Sequence, residues 1–172
     1  MTPTLVTPRL VLRPFTAADL EDLYAMDGDD RVMRYLGTGM RGRTREQSAQ
    51  ALERMIAFAA GKPGYGLLHA RRRDDDAFVG GCGLYPLPDT DDIEVAYRLP
   101  HACWGCGYAT EMARAVVAYG LSDLGLARIV GVTYPENVAS QRVLRKIGMR
   151  EEGTAIHYGH TMNVFVARRE DA

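Results

Sequence analysis

Seven residues, Trp104-Gly105-Cys106-Gly107-Tyr108-Ala109-Thr110, stand between a strand-like run ending at Leu99 and a long helical pattern. The first turn of a helix leaves backbone N–H groups without partners and carries partial positive charge. Glycines just ahead of it let phosphate oxygens come close to those donors. The chemistry expected there is capture of a pyrophosphate. Taken alone, Gly-x-Gly favours a tight turn, where only glycine tolerates the backbone angles. It is not a dinucleotide fingerprint, because Thr110 takes the place of the third small residue, and no Gly-Lys-Ser/Thr follows to make a Walker loop. Cys103-Trp104-Gly105-Cys106 is also a Cys-x-x-Cys at a helix start, where thiol pKa values fall in redox enzymes. A zinc set of His101, Cys103 and Cys106 would lack a fourth ligand, and His69 is followed by Ala70-Arg71 instead of the x-Glu of deaminases, so no metal is expected.

The elements that must hold this loop follow from periodicity and turn chemistry. Residues 7–13 alternate as an opening strand. Thr16 with Asp19 starts a helix whose apolar face is Leu20, Leu23 and Tyr24. Thr44 with Gln47 starts a second helix, with Ala51, Leu52, Met55, Ile56 and Ala59 inward and Gly61 and Pro63 at its end. Strands are expected over 65–70, 77–84 and 92–99. The run from Arg71 to Asp76 is the solvated tip of a hairpin. Met112, Ala113, Val116, Val117, Gly120, Leu121 and Leu124 mark a central helix from Ala109. Then come a strand over 128–133, a helix over 137–147 and strands over 150–158 and 162–169. The order predicts a mixed α/β (α+β) domain spanning 1–172, with a largely antiparallel sheet and helices on its faces.

Ile93-Glu94-Val95-Ala96-Tyr97-Arg98-Leu99, the Trp104 to Thr110 loop with Glu111, Arg128-Ile129, Pro135-Glu136-Asn137-Val138-Ala139-Ser140 and Lys146-Ile147-Gly148-Met149 agree in order and spacing with one family. Together they resemble the ribosomal-protein-alanine acetyltransferase (RimJ/RimL-like) branch of the GCN5-related N-acetyltransferases (GNAT). Thr7-Pro8-Arg9-Leu10 extends the likeness over nearly the whole chain. The resemblance implies the acyl-CoA acyltransferase fold, acetyl-CoA as cosubstrate and a primary amine as acceptor, either a protein N-terminus or a small molecule. It admits a homodimer. The family pattern of Gln or Arg, two residues, Gly, one residue, then Gly or Ala falls on Trp104, Gly107 and Ala109. By the resemblance, backbone amides from Gly105 through Cys106, Gly107, Tyr108 and Ala109 to Thr110 cradle the pyrophosphate. Tyr97, Arg98 and Leu99 pair with the pantetheine amides like an added strand. Asn137, which also reads as a helix N-cap, contacts the pantetheine arm, and Ser140, one turn on, lies near the sulfur. Trp104 departs from the general Gln or Arg, and Cys106 stands where a basic residue often does.

Acetyl transfer to an amine needs a neutral nucleophile, a polarised carbonyl and a proton for the departing thiolate. An α-amine, with pKa about 7.7–8.0, needs a weaker base than a lysine near 10.4. Glu94 is the first candidate base, with Tyr134, His157 and Tyr158 behind it, and Ser140 is the proton donor, with Tyr134 next. Acceptor-binding residues are expected from residues 27–42 and the last two strands. Two alternatives stay open: a noncatalytic CoA-binding sensor of the same fold, and a Cys-x-x-Cys thiol oxidoreductase.

The bulk properties fit this reading. The 172 residues are 47% apolar and 25% charged with a net charge of −1, which gives no reason for a nucleic-acid or membrane partner. No apolar run approaches the roughly 20 residues of a bilayer span. Residues 1–6 lack a secretory pattern, and three cysteines fit reduced thiols, so the location expected is cytoplasmic.

Overall fold

A computed structural model describes residues 3–36 and 41–171. Residues 37–40, part of the segment expected to meet the acceptor, lie outside the described residues. Among the described residues eight strands form one sheet in the order β1-β2-β3-β4-β5-β6-β8-β7. They are β1 (Leu5–Val6), β2 (Leu10–Pro14), β3 (Gly66–Arg72), β4 (Phe78–Pro86), β5 (Ile93–Arg98), β6 (Arg128–Thr133), β7 (Arg150–His157) and β8 (His160–Arg168). Every neighbouring pair is antiparallel except β5 and β6, which run parallel and register through the single pair Glu94 and Val130.

Among the described residues five α-helices cover the sheet: α1 (Leu20–Asp27), α2 (Asp30–Met33), α3 (Arg45–Gly61), α4 (Tyr108–Ser122) and α5 (Val138–Lys146). Strand alternation sends Leu10, Leu12, Leu68, Leu84, Val95, Ile129 and Phe165 to the face of α4 and α5, where they meet Met112, Val116, Leu121 and Leu144. The opposite parity sends Phe15 and Leu67 towards Leu23, Met26, Val32 and Leu52 of α1 to α3. Both capping boxes form. Asp19 accepts from Thr16 N–H and Oγ1–H at 2.7 and 2.9 Å, and Thr44 and Gln47 exchange bonds of 2.9 and 3.2 Å. No described helix is long and apolar enough to cross a membrane.

Three expectations shift. The opening strand breaks at Thr7-Pro8-Arg9, because the Thr7 hydroxyl accepts from Leu10 N–H at 3.0 Å and turns the chain. Tyr24 is exposed, and Met26 takes its place inward. The short helix α2 was not expected, and Asp29 caps it through the Arg31 amide at 2.9 Å.

Asp27, the last residue of α1 and wholly buried, ties that helix to β5 and to the segment that precedes α3. Arg98 donates to it from Nε and Nη2 at 2.8 and 3.2 Å, and Arg43 donates from Nη1 at 2.6 Å. Asp27→Asn should therefore leave two guanidiniums uncompensated. We expect a stability loss towards the low end of the about 3–5 kcal/mol for breaking a buried pair, since both arginines keep some solvent contact. Urea denaturation measures it, and a loss under about 1 kcal/mol would show that water already screens the cluster.

Candidate active site

Beyond Glu94 and Val130 the two parallel strands pair no further, so β5 and β6 diverge towards their C-terminal ends. The β6-facing backbone of Ala96, Tyr97 and Arg98 is thereby left open to an extended ligand. Above this split the chain passes through a 3₁₀ turn at His101–Cys103 and reaches α4. Gly105 and Gly107 adopt φ of +75° and +80°, and Gly107 is the N-cap of α4. Here the glycines are required by the backbone conformation. The first bond into the helix runs from Glu111 N–H to Gly107 O at 3.1 Å, so the amides of Tyr108, Ala109 and Thr110 precede any partner within it. Gly105, Cys106 and Gly107 are exposed, as an anion cradle must be.

Two side chains hold this loop in unexpected ways. Trp104 donates its indole N–H to the Leu99 carbonyl at 3.0 Å, which occupies one acceptor site of the strand end assigned to the pantetheine. Its ring meets His101 at 4.7 Å. Arg9 comes from the β1–β2 turn. It donates to Glu111 at 2.6 Å and to the Cys106 carbonyl at 3.0 Å, and its guanidinium lies 4.6 Å over the Tyr108 ring. A Cβ built on Gly107 would come within 3.4 Å of Arg9 Nη2. A side-chain cation thus sits beside a loop that lacks one at Cys106. No local signal announces it, since Arg9 and Cys106 are 97 positions apart.

On the α4–α5 face, Tyr97 Oη lies 2.8 Å from Ser140 Oγ and 3.1 Å from the Ser140 carbonyl. Burial raises the Tyr97 pKa, so the phenol stays protonated. When it donates to Oγ, the serine proton is free to turn into the split. Asn137 Oδ1 accepts from Ser140 N–H at 3.2 Å, which is the N-cap role, and its amide N–H groups remain for a ligand. Tyr97 was expected to act only through its backbone. Strand parity relative to Glu94 could have given the side-chain pairing.

Glu94 stands on the other face. Only 8% of it is exposed, and burial pushes its pKa up to about 7, opposed by a hydrogen bond from the Tyr158 hydroxyl. Tyr158 sits at φ +53° in the two-residue loop between the paired His157 and His160, followed by Gly159 at +77°. That signature belongs to type I′ turns, which favour Asn or Asp before Gly. A tyrosine there is strained, and it places its hydroxyl on Glu94 across the sheet split. The site does not gather every expected group. Arg98 turns its guanidinium to Asp27, so only its backbone faces the split. Tyr134 meets Tyr35 at 5.7 Å and His160 at 5.2 Å in tilted ring contacts, lining an open cleft of about 490 Å³, and no hydrogen bond joins its hydroxyl to Ser140 or Glu94 among the described residues. Burial also pushes the Cys103 thiol up, the reverse of what an attacking thiol requires.

A model of the acetyltransferase (GNAT) domain matches residues 9–150. The chain belongs to the GNAT family of acetyltransferases. "Uncharacterized N-acetyltransferase YoaA" of Bacillus subtilis is 36% identical over 164 residues, covering 92% of this chain and 89% of that protein. The Aspergillus fumigatus protein named FsC-acetyl coenzyme A-N(2)-transacetylase is 34% identical over 155 residues, covering 86% and 65%. A Bacillus anthracis GNAT acetyltransferase superposes with a TM-score of 0.84 at 24% identity over 98% of this chain and 99% of that one. Mycobacterium smegmatis RimJ, solved with a CoA-disulfide, gives 0.78 at 19% identity over 94% and 83%. These two structures share the GNAT fold with this chain.

The Tyr158 bond favours the charged form of Glu94, so removing it must raise the proton affinity further. In Tyr158→Phe the Glu94 carboxyl should titrate above its wild-type midpoint near pH 7. Carbon-13 NMR of labelled glutamate, assigned with Glu94→Gln, reads the midpoint directly. An unchanged value would mean that the bond does not form in solution.

Proposed function

We propose that the enzyme moves the acetyl group of acetyl-CoA to a primary amine, the α-amine of a protein N-terminus or an amine of a small molecule, by direct attack. The observation that carries this is strand parity. Glu94 and Tyr97 lie three residues apart on β5 and so face opposite sides of the sheet, with the split between β5 and β6 beside them. A base on one face and a donor pair on the other suit a reaction in which amine and thioester meet through the sheet.

The residues present fit the coenzyme. Amides at the start of α4 with Arg9 suit a pyrophosphate, and the open β5 edge suits an extended amide-bearing arm. The relative named for acetyl coenzyme A supports this donor. In the step itself a new N–C bond forms and the C–S bond breaks. Glu94, directly or through water, takes the amine proton. A carboxylate near pKa 7 matches an α-amine of about 7.7–8.0 better than an ordinary glutamate would. Ser140, held by Tyr97, gives its proton to the sulfur, and Tyr97 can reprotonate it.

The test is release of free thiol from acetyl-CoA in the presence of an amine panel, under conditions where chemistry limits the rate. Ser140→Ala should lower kcat by about 10²-fold with coenzyme affinity nearly unchanged. Gly107→Val should lose coenzyme binding, because valine resists φ +80°. Wild-type turnover in Ser140→Ala would remove the serine from the mechanism, and wild-type affinity in Gly107→Val would place the pyrophosphate elsewhere. Coenzyme binding without thiol release from any amine would favour the sensor.

A further inference from the structure

On the Glu94 face, an open cleft of about 360 Å³ is lined by Arg43, Arg54 and Arg98 over a floor of Met55, Phe58 and Tyr85. The mechanism uses none of these side chains. Asp27 is the carboxylate paired with Arg43 and Arg98, and among the described residues no ion pair brings a second one to the three arginines. Three guanidiniums against one carboxylate leave two positive charges in excess beside an apolar floor. Arginine presents a planar fork of donors that suits carboxylate and phosphate oxygens, and Asp27 takes only some of them.

The cleft also adjoins the reacting centre. Tyr85, in its floor, is the register partner of Glu94 on β4. Arg98 is four residues beyond Glu94 on the same face of β5, a Cα separation of about 13 Å at the usual strand rise. An extended acceptor can therefore lie with its amine at Glu94 and its far end on the arginines.

We propose that the acceptor is a primary amine carrying an anionic group, carboxylate or phosphate, which binds Arg43, Arg54 and Arg98 while its apolar stem lies on Met55, Phe58 and Tyr85. This rests on the acetyl-transfer reading. If the arginines served only to neutralise Asp27, Arg54 would have no part in recognition, because its guanidinium is exposed and outside that cluster.

Matched acceptors separate the possibilities: aminohexanoate against its amide, aminohexyl phosphate against aminohexanol, and a Ser-Ala-Glu peptide amide against Ser-Ala-Gln. With wild-type enzyme and acetyl-CoA, the anionic member of at least one pair should have a kcat/KM about tenfold higher or more, chiefly through KM, and the preference should fall as salt is raised. The carboxylate and phosphate arms tell which anion is read. In Arg54→Gln, checked for an unchanged melting temperature, the preference should shrink to about twofold or less, since one charge-assisted contact is gone. Equal kcat/KM within every pair, or a preference that survives Arg54→Gln, overturns the subsite and leaves acetyl transfer standing. Thiol release with no member of any pair overturns the transfer reading and the subsite with it.

Discussion

Parallel strands β5 and β6 meet at one residue pair and then part. A sheet that abandons its ladder in mid-course leaves backbone donors and acceptors without partners, and a folded chain cannot hold many of them buried. The consequence is a slot through an otherwise continuous sheet, lined by main-chain groups that an extended ligand can satisfy. The rest of the site is arranged about that slot. Helix α4 starts above it, α5 brings Ser140 to one side, and the β7–β8 hairpin brings Tyr158 to the other.

Because the slot joins two faces, strand alternation divides the chemistry between them. The α4–α5 face holds a buried phenol and a serine, groups that can give protons. The α1–α3 face holds a buried carboxylate that can take one. Two of the buried acids of that second face, Asp27 and Glu94, are treated differently. Asp27 is held by two guanidiniums and acts as an anchor, whereas among the described residues Glu94 receives one hydroxyl and no ion pair, which leaves its proton affinity raised near neutrality. A charge buried with so little compensation costs stability, as does a tyrosine at positive φ. Both costs fall on the proposed base and the residue bonded to it, as local strain tends to in active sites.

Much of this was legible in the sequence wherever the determinant was local. The Thr16/Asp19 and Thr44/Gln47 boxes, the apolar stripe of α4 and the glycines before it all act within one or two turns of chain, and each was found where periodicity and capping placed it, save that α4 ends at Ser122, ahead of Leu124. The groups that escaped depend on distant partners. The Arg9 contact with the Cys106 carbonyl and the Tyr158 bond to Glu94 join residues 97 and 64 positions apart. Trp104 was assigned to the coenzyme by pattern, yet its N–H closes the loop on Leu99, a contact that only the 3₁₀ turn between them creates. Arg98 fell on the expected strand with its side chain on the opposite face from Tyr97, and parity alone could not name Asp27 as its partner.

The central claim is that the slot between β5 and β6 takes the coenzyme arm, with its phosphates at the start of α4 and its sulfur towards Ser140. A crystal structure of the complex with coenzyme A tests this most directly. The account predicts pyrophosphate oxygens within hydrogen-bonding distance, about 2.7–3.2 Å, of amides between Gly105 and Thr110, pantetheine amides bonded along Ala96 to Leu99, and the sulfur facing Ser140 Oγ. Pyrophosphate bound away from the α4 N-terminus, or an arm that leaves the β5 edge bare, would contradict it.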